Sequence, residues 1–217
     1  AIDILSRALY KLRGEQTPRR ILAPTREFFT RISGSSNELS RRLALNNLWL
    51  FEGYVLYKLG EDKDGRAMIS TTIVPTILES GIRENVIPSQ ARAIVNARIL
   101  PGESIKEIQE FIRKAVDDSR VRIRLTGDFA TEPSSMTDFH ADVFKKVADA
   151  ASAVEDDVIP VPYVMVGATD SRSFRAISNG VVNFCPITDG KGYHGIDERL
   201  PIKDFQRAIQ FYTLLIQ

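Results

Sequence analysis

The chain has 217 residues, of which 43% are hydrophobic and 26% are charged. These proportions are typical of a globular protein and exclude a disordered chain, a coiled coil and a collagen-like repeat. The chain has 29 basic and 28 acidic residues and a formal charge of +1, so nothing in the overall charge predicts a nucleic-acid partner. A single cysteine excludes a disulfide framework and a zinc site built from several thiolates. The two histidines, His140 and His194, limit the metal and acid–base chemistry available to this chain.

The chain opens inside a helical pattern that covers residues 1–13 and ends at Gly14. One stripe of this helix is apolar and is formed by Ile2, Leu5, Leu9 and Leu12. A chain that begins inside an amphipathic helix is typical of a piece of a longer protein, and we expect this sequence to be such a piece.

Residues 14–66 are predicted to be mainly helical, and the most apolar stretch of the chain covers residues 43–56. A membrane span needs ~20 nearly uninterrupted apolar residues. Asn46, Asn47 and Glu52 interrupt this stretch, so no transmembrane segment is predicted. The pattern indicates a helix that is either buried or faces a partner, and both interpretations stay open.

From residue 67 the pattern becomes strand-like, which predicts a compact α+β unit. A β-branched run suggests a first strand over residues 68–74, ending before Pro75. This unit would be a small antiparallel sheet with helices on one face. Its further predicted elements are a strand over 90–100, a helix over 104–116 and a strictly alternating strand over 120–125.

Residues 131–135 (TEPSS) form the best candidate linker, and beyond them strands and helices alternate. Thr137 is predicted to cap a helix that runs to about residue 154, and Cys185 is predicted to be a core thiol. The other predicted elements are strands over 158–164 and 180–186 and helices over 171–178 and 202–216.

Three weak motifs acquire meaning from their order and spacing. They are TTIVPT, Gly81, NVIP and AIVNARILPG within residues 71–102, GATDSR over 167–172, and HGIDER over 194–199. Together they resemble the co-catalytic zinc peptidases that include aminoacylase, succinyl-diaminopimelate desuccinylase and glutamate carboxypeptidase. The long insertion after the first helix looks most like that of the Gly-X carboxypeptidase branch.

This resemblance implies two parts. Residues 1–131 would be the lid, or dimerisation domain, a ferredoxin-like antiparallel sheet with helices that carries a helical insertion over 14–66. Residues 132–217 would be the C-terminal part of an α/β zinc-peptidase catalytic domain. The family's HxD pair, bridging Asp and Glu-Glu pair, which supplies the general base, are expected in a preceding half of that domain. We therefore assign no catalytic residue to this chain, and expect it alone to be inactive and to hold little or none of the two zinc ions.

The resemblance assigns roles in the second part by position. His194 matches the C-terminal zinc ligand, since a neutral imidazole on a glycine-flanked loop can reach a metal. Arg172 matches the arginine that binds the substrate carboxylate, for which a permanently charged planar fork of donors is suited. Gly167, Ala168 and Thr169 would form a loop that passes close to the substrate, although the same loop is also compatible with an ordinary strand-to-helix turn.

In the lid, Asn85 and Arg98 match residues that reach the active site in relatives and bind the substrate carboxylate or the developing oxyanion. Asn85 is also compatible with simply holding its turn. Asp197 and Glu198 either orient His194 or pair with Arg199.

His140 lies after the linker and is predicted to have a surface or packing role.

The intact enzyme implied by the resemblance hydrolyses an amide next to a free carboxylate, in a short peptide or an N-acyl amino acid. Zinc would polarise the scissile carbonyl and lower the pKa of a bridging water. A homodimer through the lid is expected. The alternative is a non-catalytic α+β dimerisation or binding module on the same scaffold, with a partner surface around Trp49. The sequence leaves the cellular compartment open.

Overall fold

A computed structural model describes residues 1–127, 130–165, 167, 169–193 and 195–217. The chain forms two compact units. Unit 1 consists of Ala1–Leu22 and Glu52–Ser135, and unit 2 consists of Ala23–Phe51 and Met136–Gln217. The predicted insertion is therefore divided between the two units.

The helices of the described residues are α1 (Ile2–Gly14), α2 (Ala23–Ser33), α3 (Leu39–Asn46), α4 (Leu48–Glu61), α5 (Lys63–Ile69), α6 (Ile105–Val116), α7 (Asp142–Val154), α8 (Ser171–Phe174) and α9 (Ile202–Ile216). The strands are β1 (Thr72–Ser80) and β2 (Ala91–Arg98). None of the helices within these described ranges combines the length and the apolarity that crossing a bilayer would require.

Unit 1 contains an antiparallel pair, β1 and β2, as the sequence predicts. The register runs from Thr72 opposite Arg98 to Ser80 opposite Ala91 and shifts just after Pro75. Proline has no N–H to donate to a ladder, so it is tolerated where the pairing is irregular. The strand therefore continues past the proline that was expected to end it.

The predicted start of the first strand is wrong, because Met68 and Ile69 belong to α5. The side chain of Asp62 caps this helix by accepting the N–H of Gly65 over 2.9 Å. Both hydrophobic residues are buried, with Ile69 fully inaccessible. Capping and burial on a helical face outweigh the strand preference of the β-branched run.

Helix α6 is predicted to within one residue, because its boundaries are set locally. Ser104 and Glu107 form a capping box at the N-terminus, and Asp117 ends the helix in the left-handed conformation. The helix packs on α1, where the Lys11 ammonium donates to the carbonyl of Val116 over 3.0 Å. A cation is favourable at this end because the last carbonyls of a helix carry partial negative charge.

The alternating segment over residues 120–125 is not a strand in the described part of unit 1. It begins in a turn, where the Asp118 carboxylate accepts the backbone N–H of Arg120 and pairs with its guanidinium at 2.7 Å. A strand also needs a neighbour to receive its backbone hydrogen bonds, and none pairs with this segment among these residues. The α+β architecture is confirmed, whereas the described residues provide two strands of the predicted ferredoxin-like sheet.

In unit 2 the final helix, α9, has the predicted bounds. Its Phe211 is almost completely buried, and the ring centroid lies 5.0 Å from that of Phe184. Residues 158–164 and 180–186 are not assigned to strands in the described structure. The α/β catalytic-domain sheet therefore stays a prediction.

Three further local predictions in unit 2 are wrong. The helix predicted over residues 171–178 is the short α8, which ends at Phe174. Helix α7 begins at Asp142 and not directly after Thr137. The Thr137 hydroxyl instead donates to the carbonyl of Val181 over 2.7 Å and accepts the N–H of the same residue over 3.2 Å. Cys185, predicted to be a core thiol, is exposed.

Candidate functional site

The segment over residues 167–172 leads into the short helix α8 and is organised by Thr169. The Thr169 hydroxyl donates to Oδ1 of Asn183 over 3.1 Å, so the Ser171 hydroxyl, 2.6 Å away, is the donor of their mutual hydrogen bond. The carbonyl of Thr169 accepts the N–H of Arg172 over 3.5 Å. Thr169 therefore holds the turn together and is not a free hydroxyl.

The predicted substrate residues of this segment are placed next to one another. Arg172 is the second residue of α8 and is exposed, as a carboxylate-binding guanidinium must be. Gly167 is partly buried, and a Cβ on it would lie 3.4 Å from Cε of Met165, which is an ordinary van der Waals contact. Ala168, also predicted to belong to this loop, lies outside the described residues.

Asn183 contacts this turn, and sequence reasoning missed it. It is a polar residue inside the apolar run GVVNFCP, which was the only available signal. Because the contact with Thr169 spans 14 positions of the sequence, no local pattern connects the two residues.

A second segment, over residues 188–199, carries the third motif. Lys191 and Arg199 form an isolated antiparallel bridge, with N–H···O distances of 2.9 and 3.0 Å. Gly192 has a φ of +72°, and a Cβ on it would lie 2.8 Å from the carbonyl oxygen of Asp197. Glycine is thus required at the turn. His194, the predicted zinc ligand, lies outside the described residues.

Asp197 and Glu198 were predicted either to orient His194 or to pair with Arg199, and one contact bears on the second possibility. Arg199 donates from its guanidinium to the backbone carbonyl of Asp197 over 3.0 Å. That contact uses the main chain and not the carboxylate. An orienting role for either acidic side chain stays a prediction.

In unit 1, Asn85 and Arg98 are not brought together. Asn85 lies in the connection between β1 and β2, beyond the pair Ser80 and Ala91. Arg98 pairs with Thr72 at the opposite end of the hairpin. With a rise of about 3.4 Å per residue, the ends of β2 are roughly 24 Å apart. The two side chains therefore cannot bind the same carboxylate from one copy of the chain.

The described residues do not form a complete metal site, since they contain no group of three or more His, Cys, Asp or Glu side chains that could hold an ion. His140 and Asp142 have the spacing of an HxD pair, although the sequence analysis places the HxD pair of the family outside this chain. His140 is exposed, and its ring centroid lies 4.4 Å from that of Phe139. This agrees with the predicted surface or packing role.

Comparison with known proteins gives one match to a family and several to individual proteins. The family is described as "Peptidase dimerisation domain", and its profile matches residues 1–123. A protein named "Probable carboxypeptidase S-like 2" from Dictyostelium discoideum is 32% identical over all of this chain, which covers 42% of that protein. The human protein named "N-fatty-acyl-amino acid synthase/hydrolase PM20D1" is also 32% identical over the whole chain, which covers 44% of its length.

A third relative is the protein named "Succinyl-diaminopimelate desuccinylase" from Rhodopseudomonas palustris. It is 30% identical over 61% of this chain, which covers 33% of the relative. No solved structure gives a significant match. The chain thus spans less than half of the length of the curated relatives that it matches along its entire sequence.

Proposed function

Since this chain belongs to the M20 zinc metallopeptidase family, with the dimerisation domain of that family over residues 1–123, we propose that it is part of an enzyme that hydrolyses an amide next to a free carboxylate. The substrate is a short peptide or an N-acyl amino acid. Residues 132–217 are then the C-terminal part of the catalytic domain, and the general base lies outside the 217 residues.

The observation that carries this proposal is similarity along the whole chain to relatives named "Probable carboxypeptidase S-like 2" and "N-fatty-acyl-amino acid synthase/hydrolase PM20D1". A relative named "Succinyl-diaminopimelate desuccinylase" matches over 61% of the chain. A C-terminal peptide bond and the amide of an N-acyl amino acid share one feature, a carboxylate on the carbon that bears the amide nitrogen. A site that hydrolyses either one needs a fixed cation for that carboxylate.

Within this chain, Arg172 would bind the carboxylate, and Gly167 and Thr169 would shape the adjoining turn. The hydrogen bonds within the turn support the role of Arg172, because those of Thr169 fix the backbone from which Arg172 projects. His194 would provide one ligand to zinc, and the other ligands would come from outside this sequence. Asn85 and Arg98 would act at separate places, as their positions at opposite ends of the hairpin require.

The test uses the full-length protein loaded with zinc and compares matched substrates. We expect hydrolysis of a dipeptide or an N-acyl amino acid, and at least about 10-fold lower kcat/KM for the same compound with its carboxylate converted to a carboxamide, because one charge-assisted interaction is lost. Equal rates for acid and amide would contradict the carboxylate requirement. Absence of hydrolysis of all these compounds by protein that contains zinc would contradict the enzyme assignment.

One observation favours the alternative of a non-catalytic binding module. Trp49 is 79% exposed and Leu50 is 61% exposed, which is unusual for large apolar side chains on a helix. Zinc content separates the two functions. Tight stoichiometric zinc in the full-length protein supports the enzyme, and its absence supports the module.

A further inference from the structure

The segment over residues 188–199 is held at its beginning by one buried carboxylate. Asp204, in the first turn of α9, has no accessible surface. Its Oδ2 accepts the backbone N–H of Thr188 over 2.9 Å and that of Asp189 over 3.0 Å. The Thr188 hydroxyl lies 3.3 Å from both carboxylate oxygens. The start of the segment is therefore attached to α9 by several hydrogen bonds to a single side chain.

Arg207, one turn further along α9, balances the charge of this carboxylate. Its Nη1 lies 3.4 Å from Oδ1 of Asp204 and donates to the Thr188 hydroxyl over 3.2 Å. Its Nε pairs with Glu155, at the end of α7, over 2.6 Å. The network thus connects two helices to the segment.

This environment favours the ionised form of Asp204. The hydrogen bond from the N–H of Asp189 has the largest effect and lowers the pKa of the carboxyl. Burial opposes it by raising the pKa, and the donors of Thr188 lower the pKa further. The donors of Asp189 and Thr188, together with the positive charge of Arg207, outweigh burial and hold the pKa of the carboxyl below its usual value. A buried carboxylate with these partners is stable as a charged acceptor, and losing its charge would weaken every hydrogen bond that it accepts.

The far end of the segment is fixed by different means. The bridge between Lys191 and Arg199 closes it, and the N–H of Gly195 donates to the carbonyl of Gly192 over 2.7 Å. Position 194 falls between the bridge partners in the sequence. The attachment to Asp204 and the bridge together determine where the backbone on both sides of that position runs.

We propose that Asp204 is a positioning residue that, through Thr188 and Asp189, fixes the described residues on both sides of position 194 for metal binding by His194. This inference rests on the proposed function in one respect, the role of His194 as a zinc ligand. Asp204 itself touches neither metal nor substrate in this proposal.

The experiment compares wild type, Asp204→Asn and Asp157→Asn in the full-length protein. Asp204→Asn keeps the shape of the side chain and removes its charge, and the matched control removes the charge of an exposed carboxylate of unit 2 outside the segment. We expect the dissociation constant for zinc, measured by chelator competition, to rise about 10-fold in Asp204→Asn, as for partners that orient a ligand. Excess zinc should restore kcat, and the KM should stay within about twofold of wild type. Asp157→Asn should match wild type.

Amide hydrogen exchange provides a second readout that does not require activity. In Asp204→Asn, exchange should accelerate in the peptide that covers residues 188–199 and stay unchanged in α7 and the last turns of α9. If Asp204→Asn does not fold, Thr188→Val replaces it. This variant removes one donor to the carboxylate, and we expect a rise of about threefold in the zinc dissociation constant.

The outcomes separate the two proposals. A wild-type protein that binds no zinc contradicts the proposed function, and the exchange measurement then decides on Asp204 alone. Wild-type zinc affinity together with wild-type exchange in the folded variant would overturn the positioning role. An increase of exchange over the whole of unit 2 would also overturn it, because it would show a general structural role.

Discussion

Arg172 projects from the second position of α8, at the end of a turn that Thr169 closes with its hydroxyl and its carbonyl. A side chain on such a turn has a defined starting direction while its guanidinium stays accessible. The proposed recognition of a carboxylate would use an accessible cation that projects from such a turn.

We expect Arg172→Ala to lower kcat/KM for an N-acyl amino acid by about 10- to 100-fold. The loss corresponds to one hydrogen-bonded ion pair, which contributes about 1.5–3 kcal/mol. Most of the change should be in KM, because the carboxylate takes part in binding and does not change its charge during hydrolysis. Steady-state kinetics of the full-length protein measures this.

Two further variants test whether the loss of kcat/KM is specific to the guanidinium of Arg172. Arg172→Lys keeps the charge but loses the planar fork, so its kcat/KM should fall between those of wild type and Arg172→Ala. Lys146→Ala removes an exposed cation from α7 and should leave the kinetics unchanged. Wild-type kinetics for Arg172→Ala would contradict its role in binding the carboxylate.

Among the elements, α6 shows most clearly how local chemistry sets a boundary. The Ser104 hydroxyl accepts the N–H of Glu107 over 3.2 Å, and the Glu107 carboxylate accepts the N–H of Ser104 over 2.7 Å. Both donors would otherwise have no partner within the helix. Two residues three positions apart therefore specify where the helix begins.

We expect Ser104→Ala to lower the free energy of unfolding by about 1 kcal/mol, the usual cost of losing an N-cap side chain. Urea unfolding followed by circular dichroism measures it. Ser119→Ala, at an exposed position beyond the helix, is the control and should be neutral. A neutral result for Ser104→Ala would show that packing of α6 alone fixes its first turn.

The stability that this capping box contributes depends on pH, and the pKa of Glu107 gives the sign of that dependence. Hydrogen bonds from the Ser104 side chain and backbone hold the pKa of Glu107 below its usual value. Its contribution to stability is therefore complete above the usual pKa and is lost as the pH falls through the lower, folded-state value. Glu107→Gln does not titrate, so its stability deficit relative to wild type should shrink between about pH 5 and pH 3.

At the scale of the whole molecule, unit 1 presents an apolar strand. Three large side chains of β1 are about half exposed or more, namely Val74, Ile77 and Leu78. In the two-stranded sheet of the described residues, each strand also has an edge without a neighbouring strand. Exposed apolar side chains and strand edges without a neighbour both favour association. Together with the match to a dimerisation domain over residues 1–123, they support the proposal of a homodimer.

We expect the full-length protein to be a dimer in solution by light scattering, and Leu78→Arg to raise the dimer dissociation constant at least about 10-fold by burying an unpaired charge. Ile177→Arg changes a residue of unit 2 that is 83% exposed and should leave the mass unchanged. A monomeric wild type at high concentration would contradict association through the lid.

The sequence alone predicted the family and the helices whose ends are encoded nearby. Helices α1, α6 and α9 have the predicted bounds to within about two residues, because periodicity and capping act over three or four positions. The residues of the turn leading into α8 were also found together, since they are adjacent in the sequence.

The features that depend on distant residues became visible only in the folded chain. Residues 120–125 have the alternation of a strand but no partner in the described structure, since alternation does not provide a neighbouring ladder. Asn85 and Arg98 are separated because the register of β1 and β2 places them at opposite ends. Asp204 has no local signal, because the backbone donors to its carboxylate lie 15 and 16 positions away. Local preference can be seen in neighbouring residues, whereas pairing, register and burial exist only once remote segments meet.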